Sequence, residues 1–413
     1  MITRLTQRLM SVAAVASDHR QHYDGSDYDS DDMSLHRQEL FDVSASSGLL
    51  HLHGPSRTNQ LNEIALLELC DTVRTSLSEE KTLGSKAEEI TIFLKAVMKD
   101  ECGSIPAIEF ATIQNARVDK LLSDIMNLGS RQASIYLQAR IDTSVAERLQ
   151  RLWMARFREK YFNIDQTRYL ALPKMGRLKD VVFNGAASDE FSELEGNLHF
   201  EAGHWWLNLA CAYRDGIVGS IHETPTKGKY GVVALPLMTG REEISTPLAA
   251  VRYMREAKLS ETHVSLLSRV GCQIRILRGH RLRSPLAPKA GIRYDGLYII
   301  RQYEHKKNSQ SGLHRVVLTL ERVANQRPLY DLVKIPRPSQ LDDWQLFEKY
   351  EGEMLRQKRG EQLFLDWKMM KAQERMDQRQ WRRALEVGAA LTLRKLSRYS
   401  HSTVREQDQQ DDA

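Results

Sequence analysis

Cysteine is scarce in this chain of 413 residues. The four present, Cys70, Cys102, Cys211 and Cys272, stand far apart and form no Cys-x-x-Cys pair. That excludes a locally encoded zinc site or disulfide framework and fits a reducing compartment. Also missing is any uninterrupted apolar run near the roughly 20 residues that cross a bilayer. The longest candidate, from Ala384 to Leu396, is broken by charge, so a soluble protein without membrane association is expected. Catalytic signatures are absent as well: there is no Gly-x-Ser-x-Gly, no His-Glu-x-x-His and no phosphate loop. His204, His222, His263 and Glu223 are acid–base side chains outside any such motif, and His204 beside Trp205 and Trp206 reads as a packed histidine. The expectation is a non-catalytic protein with no metal or other cofactor.

What the chain does contain is 41% hydrophobic residues, enough for sizeable cores, and a length that suits two folded units with tails. The net charge of +5 and the pI near 8.9 are mild averages over an uneven distribution. Residues Met1 to Ala16 read as a short helix or a disordered start, with a targeting segment as the alternative. From Asp18 to Asp32, Asp24, Asp27, Asp29, Asp31 and Asp32 repel one another with little to bury, and disorder is expected through about residue 60.

Residues 61–165 carry helical periodicity, with Ile64, Leu66, Leu67, Leu69 and Val73, then Ile90, Phe93, Leu94 and Val97, then Leu121, Leu122 and Ile125. The last helix repeats Leu149, Leu152, Trp153, Phe157 and Tyr161 at spacings of three and four. A bundle is predicted there, and a linker over 166–195. Residues 196–335 have a β texture, and a short helix over Ser260 to Ser268 is expected to pack His263, Leu266 and Leu267 beneath the strands. Residues 336–400 return to helix. Twelve Arg and Lys against five Asp and Glu between Arg356 and Arg398 give that segment a net charge of about +7, a surface suited to a polyanion or simply a solvated face. An acidic disordered tail is expected over 401–413.

The most specific stretch is Arg293-Tyr294-Asp295-Gly296-Leu297-Tyr298-Ile299-Ile300, a Tyr-Asp-Gly turn running into a strand. Upstream lie Gly216-Ile217-Val218-Gly219, the run Gly231-Val232-Val233, a short helix near Val264 to Leu267, and Gln273 to Leu277 ending in a Gly279 turn. Downstream, Gly312 to Arg322 reads as a further strand. In this order the elements resemble the SRA-YDG domain family over about a third of the chain. The resemblance implies an α+β protein: an SRA-like (PUA-like) twisted β-barrel preceded by a helical bundle and followed by a basic helical segment. It also implies a nuclear module that binds double-stranded DNA and, in its best understood members, flips a methylated cytosine out of the duplex.

A base-flipping reader needs aromatic faces, acceptors for the Watson–Crick edge and a wedge for the vacated stack. Where the family has an Ala-Gly-Gly-Tyr type segment, this chain has Leu235-Pro236-Leu237-Met238. The resemblance therefore implies a degenerate pocket formed from Leu235, Met238, Glu242, Glu243 and Tyr253, the two glutamates accepting from a cytosine amine and Tyr253 supplying a face. Ile217 and Val218 fall at the family's duplex-inserting loop and are wedge candidates, or else barrel core. Arg269, Arg275, Arg278, His280, Arg281, Arg283, Lys289 and Arg293 cluster in sequence and are expected at phosphates, or else at strand edges. Tyr294, Asp295 and Gly296 are expected to shape the fold, Asp295 accepting turn amides and Gly296 relaxing the backbone. The competing reading is a non-catalytic scaffold that assembles chromatin or histone-associated proteins and touches DNA only through its backbone.

Overall fold

The computed structural model describes residues 57–131, 137–172, 192–244, 250–257, 264–307 and 313–408. The expectations for residues 1–56, including the acidic segment, for His263, and for most of the 166–195 linker lie outside the described residues. Two compact units emerge, one of residues 57–172 with 337–346, the other of 192–336 with 347–408.

The first unit is helical: α1 (Arg57–Glu79), α2 (Ala87–Glu101), α3 (Phe110–Asn115), α4 (Val118–Arg131), α5 (Leu137–Phe157), α6 (Glu159–Phe162) and α7 (Ile164–Ala171). Residues spaced three and four apart on α1, α2, α4 and α5 meet in one core, built from Leu69, Val73, Ile90, Leu94, Leu121, Leu122, Ile125, Leu149 and Trp153. Ile64 lies outside that stripe and is exposed. The expected linker is helical at its start, since α7 runs to Ala171.

Residues 337–346, read from sequence as the start of the basic C-terminal segment, belong to this unit. The Ser339 amide and hydroxyl donate to Asp71, Arg74 takes Asp342 at 2.7 Å, and Arg117 takes Asp343 at 2.6 Å. Loss of water around Asp343 pushes its carboxyl from the ordinary 3.8 up to about 6, with Arg117 opposing. A carboxyl that titrates higher folded than unfolded takes up a proton on folding. This contribution to stability is therefore full below pH 3.8 and declines as the pH rises to 6. Urea midpoints measured across that window should show the decline, and Asp343→Asn should flatten it.

The second unit is a mixed sheet of eight strands: β1 (Trp205–Trp206), β2 (Thr226–Gly228), β3 (Gly231–Leu237), β4 (Arg241–Ile244), β5 (Ala250–Ala257), β6 (Gln273–Gly279), β7 (Ile292–Lys307) and β8 (His314–Arg322). The order is β2-β3-β6-β7-β8-β5-β4, with β1 on β7. The path is open, with β2 and β4 at its ends, where a twisted β-barrel was expected. β3 and β6 run parallel and the other pairs antiparallel. Pro236, which cannot donate to a ladder, falls past the end of β2, where β3 keeps one paired edge. Leu235, Leu237, Tyr253, Ile274, Ile276, Tyr298, Ile300, Leu318 and Leu320 form the core.

The short helix is a 3-10 turn over Val264–Arg269. Leu266 packs beneath the sheet, but Leu267 is turned to solvent, because a three-residue repeat places consecutive side chains on different faces. The remaining helices are α8 (Leu209–Arg214, between β1 and β2 in sequence) and, after the sheet, α9 (Leu329–Leu332), α10 (Pro338–Arg359) and α11 (Glu361–Asp408). α11 extends past residue 401, where the tail was expected to begin.

Candidate nucleic-acid interface

The Tyr-Asp-Gly motif is a β-bulge. Across β6 and β7, Ile276 faces Gly296 and Leu277 faces Tyr294, so Asp295 is the extra residue. Gly296 has φ +98°, and a Cβ there would fall 2.2 Å from the Gln326 amide oxygen, which instead accepts from the Leu297 amide. Glycine is thus required twice, for the backbone angle and for the seal. The bulge turns the Asp295 side chain inward rather than onto turn amides, which corrects its expected role.

Inside, Asp295 meets two guanidiniums. Arg293 Nε donates to Asp295 Oδ1 at 2.5 Å and Arg278 Nη1 to Oδ2 at 2.6 Å. Arg278 also grips Glu242 through Nε and Nη2, and its Nη1 donates to the Tyr298 hydroxyl at 3.0 Å. All four charged side chains have no solvent exposure. Burial alone would push the Asp295 carboxyl up, but Arg293 and Arg278 outweigh it and hold the group below the ordinary carboxylate range. Arg293 further donates to the carbonyls of Leu332, Ile335 and Leu286.

Four of the seven arginines and lysines expected at phosphates are therefore interior residues. Arg278 and Arg293 belong to this tetrad. Arg269 is committed to Glu195 and the Tyr230 carbonyl. Arg275 donates to the carbonyls of Ser192, Leu194 and Gly196 and has no acid partner among these bonds. All four are buried, so none presents its guanidinium to a ligand.

The other three, Arg281, Arg283 and Lys289, are exposed. They share a loop in which Leu282, Ser284, Leu286 and Ala287 are buried between them. Backbone bonds fix this loop to the turn before β4: the Arg283 amide donates to the Gly240 carbonyl at 3.1 Å and the Glu242 amide to the Arg283 carbonyl at 2.9 Å. The outward side chains are thus held on an anchored backbone.

The pocket and wedge candidates are placed differently. Ile217 and Val218 are buried, so neither can enter a duplex as the chain stands. Leu235, Met238 and Tyr253 are buried too, and Glu242 is taken by Arg278. Glu223, which carried no signal of this role in the sequence, seals the corner after β3. Its carboxylate accepts from the amides of Met238 and Thr239 and from the Thr239 hydroxyl, all within 2.9 Å. The Tyr253 hydroxyl donates to the Thr239 carbonyl at 3.1 Å. The residues expected to face a flipped base are thus turned inward, with Tyr253 on the Thr239 carbonyl, Glu242 on Arg278 and Met238 against Gly279. Only Glu243 remains in solvent, 3.7 Å from Arg241. His204 is stacked on Trp206, with ring centroids 4.3 Å apart, as a packed histidine should be.

No family model matches the chain. A UHRF1-like protein of Cryptococcus neoformans var. grubii is 39% identical over 56 residues, which amount to 14% of this chain and 16% of that protein. The match therefore spans less than a fifth of the relative's length. Among solved structures, the SRA domain of SUVH5 in complex with hemimethylated CG DNA matches over 97% of its length and 33% of this chain, at 16% identity and a TM-score of 0.27. KRYPTONITE in complex with mCHH DNA, an H3(1-15) peptide and SAH matches over 42% of its length and 40% of this chain, at 18% identity and a TM-score of 0.31. Arabidopsis thaliana SUVH6 with SAM matches over 30% of its length and 36% of this chain, at 18% identity and a TM-score of 0.29. What is established is a likeness: over those 56 residues the chain is similar to the UHRF1-like protein.

Proposed function

We propose that this chain is a nuclear, chromatin-associated protein whose SRA-YDG domain binds duplex DNA, gripping phosphates without reading a flipped base. The observation that carries the reading is the anchored loop bearing Arg281, Arg283 and Lys289 beside a pocket corner closed by Glu223 and Tyr253. Phosphate binding needs exposed cations on a fixed backbone, and base readout needs an open pocket. The domain offers the first. In this reading the protein has no catalytic role, and the helical unit serves chromatin or histone-associated protein partners.

Recognition of methylated cytosine is the second reading. It is favoured by the SRA-YDG resemblance and by Glu243, whose carboxylate stands in solvent 3.7 Å from Arg241 and would serve as the acceptor for a cytosine amine. Base flipping would then require Met238 and Tyr253 to leave their packed positions.

The full chain, titrated with matched duplexes carrying unmodified, hemimethylated or fully methylated CpG at two salt concentrations, separates the readings. Backbone binding predicts affinities within about twofold of one another and a steep fall with salt. A clear preference for a methylated duplex would replace the first reading with the second. No binding to any duplex would leave the non-catalytic scaffold.

A further inference from the structure

The loop that holds the outward cations is covered on one side by the chain's own last helix. α10 and α11 turn back on each other at Gly360, whose φ of +90° suits a glycine between two helices. Phe364 and Trp367 of α11 close over Gly352 of α10, where an added Cβ would lie 2.7 Å from Trp367. Glu348 on α10 pairs with Arg375 at 3.3 Å and Lys371 at 3.6 Å, which sets the register of the two helices. A consequence of that register is that Glu374 and Gln378, four apart and so on one face, meet the loop after β6. Gln378 Nε2 donates to the His280 carbonyl at 2.8 Å. Glu374 Oε1 lies 3.6 Å from both His280 Nε2 and Arg281 Nε.

This hold is light. Glu374 Oε1 is buried, and its facing donors His280 Nε2 and Arg281 Nε both stand at 3.6 Å, longer than an ordinary hydrogen bond. Arg281 is 57% exposed, and solvent screens an ion pair of that kind to a small contribution. Lys371 shares the same carboxylate at 3.7 Å. A phosphate oxygen brought to Arg281 can form the shorter charge-assisted bond that Glu374 does not make. An acid on a helix that is otherwise rich in arginine thus occupies the place where the duplex backbone would sit.

We propose that α11 competes internally with DNA, Glu374 and Gln378 covering the 280–283 side of the cationic loop until the duplex displaces them. The inference rests on the backbone-binding reading given above. It makes the exposed cations a gated surface, weakly masked in the free protein and uncovered on binding.

Duplex affinity of the full chain tests it, comparing Glu374→Gln with Gln378→Ala against Asp377→Asn. Asp377 is on the same helix and accepts from Gln373, so its replacement removes an equal charge without touching the loop. The double variant should bind an unmodified duplex about fivefold or more tightly than the parent, the coupling expected of a released competitor. Asp377→Asn should change affinity by less than about twofold. Equal gains from both would mean net charge alone is at work and would overturn the competitor. So would unchanged affinity of the double variant while the parent binds, a result that leaves the backbone reading standing. Absence of binding by every form would overturn both. In the parent, duplex addition should also speed amide exchange across Glu361 to Arg383, and unaltered exchange there would count against displacement.

Discussion

Asp295→Asn should cost the β domain about 3–5 kcal/mol of stability, a large part of what a domain has. The substitution barely changes shape. Its effect is electrical: Arg278, Arg293, Glu242 and Asp295 balance as two positive and two negative side chains without solvent exposure. With asparagine the interior carries an uncompensated guanidinium, and an amide group that itself donates faces two donors. The double replacement Arg278→Met with Glu242→Leu should cost less than either single change, because it removes a charge and its partner together. Denaturant midpoints followed by circular dichroism would measure both, and an Asp295→Asn shift worth under about 1 kcal/mol would sink the tetrad as a source of stability. The carboxyl is held below its ordinary 3.8. Its contribution is therefore present above that pH and lost as the pH falls through the folded value, so the variant should show a flatter acid limb than the parent.

Replacing Arg281, Arg283 and Lys289 together by glutamine should lower duplex affinity roughly tenfold or more near physiological salt. The dependence of log affinity on log salt should become shallower by about 0.9 for each phosphate the variant no longer neutralises. These side chains lie outside the core, so folding should be little affected. Arg301→Gln provides the contrast, since Arg301 is also exposed but lies on β7, where it pairs with Glu321, rather than on this loop. An unchanged salt slope in the triple variant, or an equal drop in affinity with Arg301→Gln, would show that the duplex does not lie against this loop.

The strands of the second unit could be read from β-branched runs, and the family resemblance from Tyr294-Asp295-Gly296, because this bulge sets its extra residue beside a glycine at positive φ and so leaves a local mark. The fate of the arginines could not. Arg275 and Arg278, three apart in a strand and so on opposite faces, were expected at phosphates or strand edges, yet both are buried. What satisfies them is distant in the chain: Glu242 lies 36 positions from Arg278, and the Ser192 carbonyl is 83 from Arg275. No window of sequence contains such pairings. The loss of pocket glycines at Leu235 to Met238 was visible, whereas the carboxylate sealing that corner, Glu223, was not, being 15 residues from Met238 and on another segment. In the same way, Ser339, Asp342 and Asp343 read as the opening of a basic helix, and only their partners Asp71, Arg74 and Arg117 assign them to the helical unit.

Arg275 finally decides where the domain can be cut. Burial pulls its guanidinium down to about 10, with Tyr294 opposing, so it stays charged at neutral pH while three carbonyls satisfy its buried N–H groups. A fragment beginning at Gly196 retains that charge and discards the acceptors of Ser192 and Leu194. One that starts upstream of Ser192 retains all three. The first residue of a fragment that keeps these acceptors is thus set by a side chain 83 positions further along the chain.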